Sequence, residues 1–297
     1  MQRLPARNST IIQEFRDANS TPFVQIYTQI YPKRPFSSPH IKNHIQRILD
    51  GNGRIWTITQ QNNLIGYAAV YPVPGLPNLA EIEGGIIPIK QRQGFASQLL
   101  HHIINVLHES TTQQISLTVS SLEAPAAHFL LHHNFFIEHE EHHLQLDNLQ
   151  SQPLHLAPCT LHLAPHETAV STFPTLYDQS FAGTRWHQPY SPDEIDITLS
   201  PTDEMLFYLY RNNPIGFAWI RFPNTTTAEI EPIGVVKEMQ GKGYGRSLLN
   251  AVLHKLQQQG IQQVQLGVWA DNQIARHLYH KFGFRHQSTT TYLAYNL

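Results

Sequence analysis

The sequence holds one cysteine, Cys159, in 297 residues. That excludes an internal disulfide framework and any zinc site built from several cysteines. It also lacks an excess of positive charge: Lys and Arg number 20 against 22 Asp and Glu, for a formal net charge of −2. Counterion-driven binding to nucleic acid therefore has no footprint here. No apolar run approaches the roughly 20 residues that a membrane helix needs. Met1–Phe15 alternates polar and apolar residues without the apolar stretch of a signal peptide. These absences describe a soluble, cytoplasmic, globular chain with no nucleic-acid or membrane partner. At roughly 100–200 residues per domain the expectation is about two domains. Oligomeric state is not legible.

What is abundant is histidine, 19 in all, with pairs at His101–His102, His132–His133 and His142–His143. Adjacent side chains point in different directions on a helix or a strand, so such pairs do not chelate by themselves. No His-Glu-x-x-His spacing occurs. The expectation is solvated surface histidine and no metal.

A repeat organises the chain. Gly85-Ile86-Ile87-Pro88-Ile89-Lys90-Gln91-Arg92-Gln93-Gly94-Phe95-Ala96 matches Gly234-Val235-Val236-Lys237-Glu238-Met239-Gln240-Gly241-Lys242-Gly243-Tyr244-Gly245 at an offset of 149 residues. The offset persists downstream, with Asn134-Phe135-Phe136 opposite Gly283-Phe284-Arg285. Upstream, Thr10–Glu14 falls opposite Cys159–Leu163 to within about a residue. Such a period is too long for a solenoid and fits a duplicated domain. We therefore expect domains 1–149 and 150–297, joined across the polar, proline-bearing stretch Asp147–Pro158.

The coarse elements agree between halves. Met205–Tyr210 and Ile215–Phe222 flank Arg211-Asn212-Asn213-Pro214 as a hairpin, as Arg54–Thr59 and Leu64–Tyr71 flank Gln60-Gln61-Asn62-Asn63. A further strand, Glu229–Val236, leads into the second glycine loop. A helix follows with Leu248, Leu249, Val252, Leu253 and Leu256 on one stripe; Leu99, Leu100, Ile103, Ile104 and Leu107 are its counterparts. Strand Gln263–Trp269, helix Asn272–Lys281 and terminal strand structure from Phe284 complete the order. This is a mixed sheet with helices packed on it rather than a plain alternation of strand and helix.

The segment Gln240-Gly241-Lys242-Gly243-Tyr244-Gly245-Arg246 joins a strand to a helix. A helix N-terminus offers unpaired N–H groups and partial positive charge, and glycines let an anion approach the backbone. A phosphate is the expected ligand, with Lys242 and Arg246 able to add charge. The dinucleotide fingerprint and the Walker loop are both absent. Farther on, Asn272, Ala275 and Tyr279 share one helix face by spacing, and Gly283 fits the helix end.

The combination Gln240-x-x-Gly243-x-Gly245 and Asn272-x-x-Ala275-x-x-Leu278-Tyr279-x-x-x-Gly283-Phe284 resembles the GCN5-related N-acetyltransferase (GNAT) superfamily. The tandem arrangement is similar to mycothiol synthase and other double-domain acetyltransferases. The resemblance implies an α+β fold of two tandem acyl-CoA N-acyltransferase domains, each a mixed, mostly antiparallel sheet with flanking helices. It implies acetyl-CoA as donor and a primary amine of a small molecule or a peptide amino terminus as acceptor. The pyrophosphate would lie on the N–H groups of Gly241, Lys242, Gly243, Tyr244, Gly245 and Arg246. The pantetheine arm would pair with Ile233-Gly234-Val235, where that strand and the next splay apart. The Val235 amide would face the thioester oxygen, Asn272 would hold the pantetheine, and Tyr279 would protonate the leaving thiolate. Glu231 is the candidate base, with Glu229 sharing its strand face by period-2 alternation.

The first half departs from the pattern. Gln91, Gly94 and Ala96 keep the loop as a possible second CoA site, but Arg92 stands opposite Gly241, Leu130 opposite Tyr279, Glu123 opposite Asn272, and Ile82 opposite Glu231. Catalysis is therefore expected in the second half. A non-catalytic acyl-CoA-binding regulatory module and another phosphate-binding enzyme are the rival readings. The loop Thr184–Tyr190 is a positional candidate for shaping the acceptor site.

Overall fold

A computed structural model describes residues 10–17, 21–33, 36–151, 160–184 and 187–297. Cys159, most of the expected linker, and Arg185 and Trp186 of the candidate acceptor loop lie outside the described residues.

The two repeats carry the same order of elements. The first runs β1 (Thr10–Phe15), α1 (Thr21–Ile30), α2 (Ser38–Asp50), β2 (Arg54–Gln60), β3 (Asn63–Val73), β4 (Leu76–Ile86), α3 (Phe95–Leu107), β5 (Gln114–Val119), α4 (Pro125–His132) and β6 (Phe136–Leu146). The second runs β7 (Thr160–Leu163), α5 (His166–Phe181), α6 (Pro192–Thr198), β8 (Glu204–Tyr210), β9 (Asn213–Asn224), β10 (Thr227–Val235), α7 (Tyr244–Gln258), β11 (Gln263–Trp269), α8 (Gln273–Lys281) and β12 (Arg285–Asn296). Both hairpins turn on two residues with positive φ, Gln61-Asn62 (50° and 63°) and Arg211-Asn212 (52° and 65°). That geometry matches the right-handed twist of the flanking strands. The stripes expected on α3 and α7 are the buried ones, and those of α7 sit in the core of the second repeat's sheet.

The chain divides into two compact units that do not follow the repeat boundary. Unit 1 comprises residues up to Leu117, the segment Phe129–Phe136 and the chain end Leu293–Leu297; unit 2 comprises Thr118–His128 and Ile137–Tyr292. In unit 1 the chain end is held by Leu297 N–H on Gln113 C=O at 2.8 Å. In unit 2, β6 of the first repeat runs antiparallel to β11, with Leu146 opposite Val264 and Glu141 opposite Trp269. A cut at 149/150 therefore follows the repeat rather than the packing.

Within each unit the recorded pairings are antiparallel except one. β4 pairs with β5 in parallel from Leu79↔Gln114 to Glu81↔Ser116, and β10 with β11 from Thr227↔Gln263 to Glu229↔Gln265. Each parallel pairing spans three residue pairs and stops. Beyond Glu229, β10 diverges from β11 and presents an open strand edge. β10 also carries a one-residue bulge, because its register on β9 shifts between Ile230↔Ile220 and Ile233↔Ala218. The extra residue falls at Glu231-Pro232.

Candidate active site

The register fixes which backbone groups the open edge offers. Val236 N–H donates to Ile215 C=O at 2.9 Å, so these two form a hydrogen-bonded pair. Alternation in an antiparallel ladder makes Gly234↔Phe217 the next such pair and turns the polar groups of Val235 and Ile233 outward. Gln240 agrees: its Nε2 reaches the outward Val235 C=O at 2.8 Å and Ser180 C=O at 3.1 Å. Gln240 thus pins the loop to the strand with its side chain. Gly234 is committed to β9, and a Cβ there would press on the Phe181 and Phe217 rings. Of the three residues expected along the pantetheine, Ile233 and Val235 face the edge and Gly234 does not.

The glycine loop turns through left-handed conformations at Gly241 (φ 71°) and Gly243 (φ 87°). A side chain there would be strained, which accounts for glycine at both. The first bond inside α7 runs from Ser247 N–H to Gly243 C=O, so the amides of the first turn have no helical acceptor. A Cβ built on Gly241, Gly243 or Gly245 meets nothing within 4 Å. Lys242 and Arg246 are exposed beside this surface, and the Tyr244 ring lies 5.6 Å from that of Tyr210. Open glycines, first-turn amides and two cations fit a pyrophosphate.

Glu231 sits in the bulge, past the last β10–β11 pair. Burial, then the negative charges of Glu141 and Glu229, push its carboxyl up to about 7, with Arg221 pulling the other way. Glu229 instead lies where the sheet is still paired, opposite Arg221 and Gln265. Tyr279 on α8 is buried, and no hydroxyl partner is recorded for it among the described residues. Burial first, and the Glu231 charge second, hold its phenol well above the usual tyrosine range. Two further tyrosines feel the same carboxylate. Tyr177 on α5 is pushed up to about 12, chiefly by burial, and Tyr190 is raised by burial and then Glu231. Their rings meet edge to face at 4.8 Å. Asn272 caps α8 through its Oδ1, which accepts from Ala275 N–H at 3.2 Å. Its side-chain NH₂ is the part left for a ligand.

Sequence reasoning placed Glu231, Tyr279, Val235 and the loop in one site and missed Tyr177, Arg221 and Glu141. Tyr190 was reached only as the end of the Thr184–Tyr190 loop. In that loop His187 Nε2 lies 2.7 Å from Asp178 Oδ1, and Gln188 N–H points at Tyr177 Oη at 3.4 Å. Glu141 was beyond reach because it lies on the first repeat's last strand.

The first repeat differs at each corresponding point. Its β3–β4 register runs unbroken from Gly66↔Ile86 to Pro72↔Ala80, so Ile82 is an ordinary buried strand residue. Glu83 is engaged by Tyr67 Oη at 2.9 Å and His44 Nε2 at 3.1 Å. Gly84 occupies the place of Ile233, and there Tyr31 Oη accepts from its N–H at 3.1 Å and donates to its C=O at 3.2 Å. A side chain has therefore taken the polar groups of the strand edge. Gly94 keeps φ 85° and an open Cβ position, and Gln91 Nε2 still reaches Ile86 C=O at 2.9 Å. Arg92 holds φ 59° where the second repeat has glycine, and Ala96 opens α3 where it has Gly245. Leu130 is buried in the place of Tyr279, and Glu123 is exposed in the place of Asn272. Among the described residues no group of three or more His, Cys, Asp or Glu is arranged to hold a metal.

Comparison with known proteins adds three findings. The family described as "Acetyltransferase (GNAT) family" matches residues 14–135 and 170–284, one stretch in each repeat. A mycothiol acetyltransferase of Paenarthrobacter aurescens is 40% identical over 75 residues, 24% of this chain and 23% of that protein. The chain thus spans about a quarter of the length of the curated relatives it matches. Two solved structures share the fold: a GCN5-related N-acetyltransferase from Sphaerobacter thermophilus, with TM-score 0.65, 13% identity and coverage of 97% and 95% of the two chains, and a tandem GNAT protein from the clavulanic acid biosynthesis pathway, with TM-score 0.64, 15% identity and coverage of 97% and 98%.

Proposed function

The chain belongs to the acetyltransferase (GNAT) family, and from that premise we propose that its second repeat transfers an acetyl group from acetyl-CoA to a primary amine. The acceptor is a small molecule or a peptide amino terminus, and the setting is the cytoplasm. The observation that carries this reading is the position of Glu231. It stands in a bulge of the open strand edge, near an outward backbone amide and within the field of a buried phenol.

Gly241–Arg246 and the cations Lys242 and Arg246 bind the pyrophosphate of the donor. Ile233 and Val235 pair with its pantetheine arm, and the Asn272 amide adds a donor. Glu231 takes the proton that the acceptor amine sheds, directly or through one water; a carboxyl poised near 7 suits that task. The neutral amine nitrogen then bonds to the thioester carbon, and the second proton that the nitrogen loses on becoming an amide leaves through solvent. Val235 N–H donates to the carbonyl oxygen as it gains charge. As the C–S bond breaks, Tyr279 gives its hydroxyl proton to the departing thiolate, and the proton on Glu231 returns to the tyrosine through solvent. The two groups are coupled. Ionised Glu231 helps hold the Tyr279 proton in place. Once Glu231 is protonated, that restraint disappears and Tyr279 becomes the better acid when the thiolate forms.

This reading assigns one donor per chain. The first repeat keeps part of its loop, but Tyr31 occupies the edge where a pantetheine would pair. The test is acceptor-dependent release of CoA thiol from acetyl-CoA across a panel of primary amines. Tight binding of CoA with no thiol release from any amine would turn the reading into that of a binding module.

A further inference from the structure

The second repeat does not build its acid–base centre alone. β6, from the first repeat, is the neighbour of β11 in unit 2, with Glu141 opposite Trp269 and His143 opposite Gly267. Glu141 therefore shares a sheet face with Trp269, and its carboxyl lies across Gly267 in the space where a Cβ would stand. Tyr292 Oη donates to Glu141 Oε2 at 3.4 Å from the other side. β10 parts from β11 after Glu229↔Gln265, and Glu231, two residues beyond that last pair, lies within the field of the Glu141 charge. The missing side chain of Gly267 thus leaves the gap that the Glu141 carboxyl fills, two residues beyond the last β10–β11 pair.

We propose that Glu141 is a positioning residue of the acyl-transfer site, acting across Gly267 to keep Glu231 basic and to draw the ammonium form of the acceptor to it. The inference rests on the acetyltransferase reading above. It also narrows the acceptor class. Glu141 and Glu229 add their negative charge at Glu231 with Arg221 as the opposing charge, and Tyr177, Tyr190 and Tyr279 lie within the field of the same carboxylate. This balance favours a cationic amine with no carboxylate beside it. Glycine at 267 has a role here that packing does not give it, since any side chain would expel the Glu141 carboxyl.

The test uses the full chain labelled with ¹³C in glutamate carboxyls, with the Glu231 signal assigned by its loss in Glu231→Gln. In the unaltered protein that signal titrates near pH 7. Glu141→Gln removes a like charge and lowers the midpoint by roughly half a unit to one unit. Gly267→Ala lowers it as well while leaving Glu141 in the chain, and Glu138→Gln, on the opposite face of β6, leaves it in place. With 2-phenylethylamine as acceptor, the acidic limb of kcat/KM in Glu141→Gln moves down with the midpoint and KM for the amine rises. Replacing the probe by phenylalanine, which adds a carboxylate, lowers kcat/KM in the unaltered protein, and Glu141→Gln narrows the gap. An unmoved Glu231 midpoint in both Glu141→Gln and Gly267→Ala, in a protein that acetylates amines, overturns the role of Glu141 alone. A moved midpoint in a protein that releases no thiol with any amine overturns the acetyltransferase reading and this role with it. Should Gly267→Ala fail to fold, Glu141→Gln decides by itself.

Discussion

Replacing Glu231 by Gln should make the protein more stable and nearly inactive, with the stability gain depending on pH. The folded carboxyl titrates near 7 against an ordinary value of 4.5. Between those values the folded chain keeps a proton that the unfolded chain releases, so this group's contribution to stability is lost as pH rises through that window. The full difference of about 2.5 pH units would correspond to a little over 3 kcal/mol. Solvent reaches the open edge beside β10, so we expect about 1–3 kcal/mol above pH 7. Glutamine keeps the shape and never ionises, so it escapes the penalty. At roughly 2–4 °C per kcal/mol for a unit of this size, the variant should melt about 2–12 °C higher at pH 8. At pH 5 the gain should shrink to a small fraction of that, because the native carboxyl is protonated there. Calorimetric scans of both proteins at the two pH values measure the difference, and turnover should fall by roughly 10²–10⁴-fold. A gain that is equal at pH 5 and pH 8, or a loss at pH 8, would refute the claim that ionising this carboxyl costs the fold its stability.

Gly245→Glu places a carboxylate in the first turn of α7, where its Cβ meets nothing. A helix N-terminus favours that charge by about 0.3–1 kcal/mol, so the fold should hold while calorimetry finds CoA binding lost; unchanged affinity would refute the loop assignment. Tyr279→Phe keeps the ring and removes the proton, so turnover should drop by roughly 10²–10⁴-fold with CoA affinity unchanged. If turnover is unaltered when chemistry limits the rate, Tyr279 is a packing residue. Tyr31→Phe strips both polar groups of Gly84 of their partner and should cost roughly 1–3 kcal/mol of stability in denaturant melts without altering turnover. CoA stoichiometry should be one per chain, and a second equivalent lost specifically in Gly94→Glu would show that the first repeat also binds.

Much of the scaffold was legible because its signals are local. Helix stripes, hairpin turns and the two glycine loops each declare themselves within a dozen residues, and the offset of 149 confirmed one copy against the other. The surroundings that distinguish Glu231 from Glu229 were not legible. Glu231 was the candidate, with Glu229 on the same strand face by period-2 alternation, and the extra residue after Ile230 sets the two carboxyls in different surroundings. A bulge of that kind re-aims a side chain without leaving a composition signal. The role of β6 was hidden for a different reason. Its sequence belongs to the first repeat, and its pairing with β11 is a choice of partner across more than a hundred residues.

One difference between the repeats is whether the polar groups at the open strand edge are already satisfied. An unpaired strand edge is a binding surface for any extended partner. In the first repeat Tyr31 fills that role with one hydroxyl, Glu83 is held by Tyr67 and His44, and no bulge exposes a carboxyl in the place of Glu231. In the second repeat the bulge leaves Glu231 out of register, Val235 and Ile233 turn outward, and Gln240 fastens the loop to the outward Val235 C=O. The element order is the same in both. Converting one repeat to the other's state would take changes at the edge, in the loop and at the buried Leu130–Tyr279 position, while β6 would still pair with β11 in unit 2.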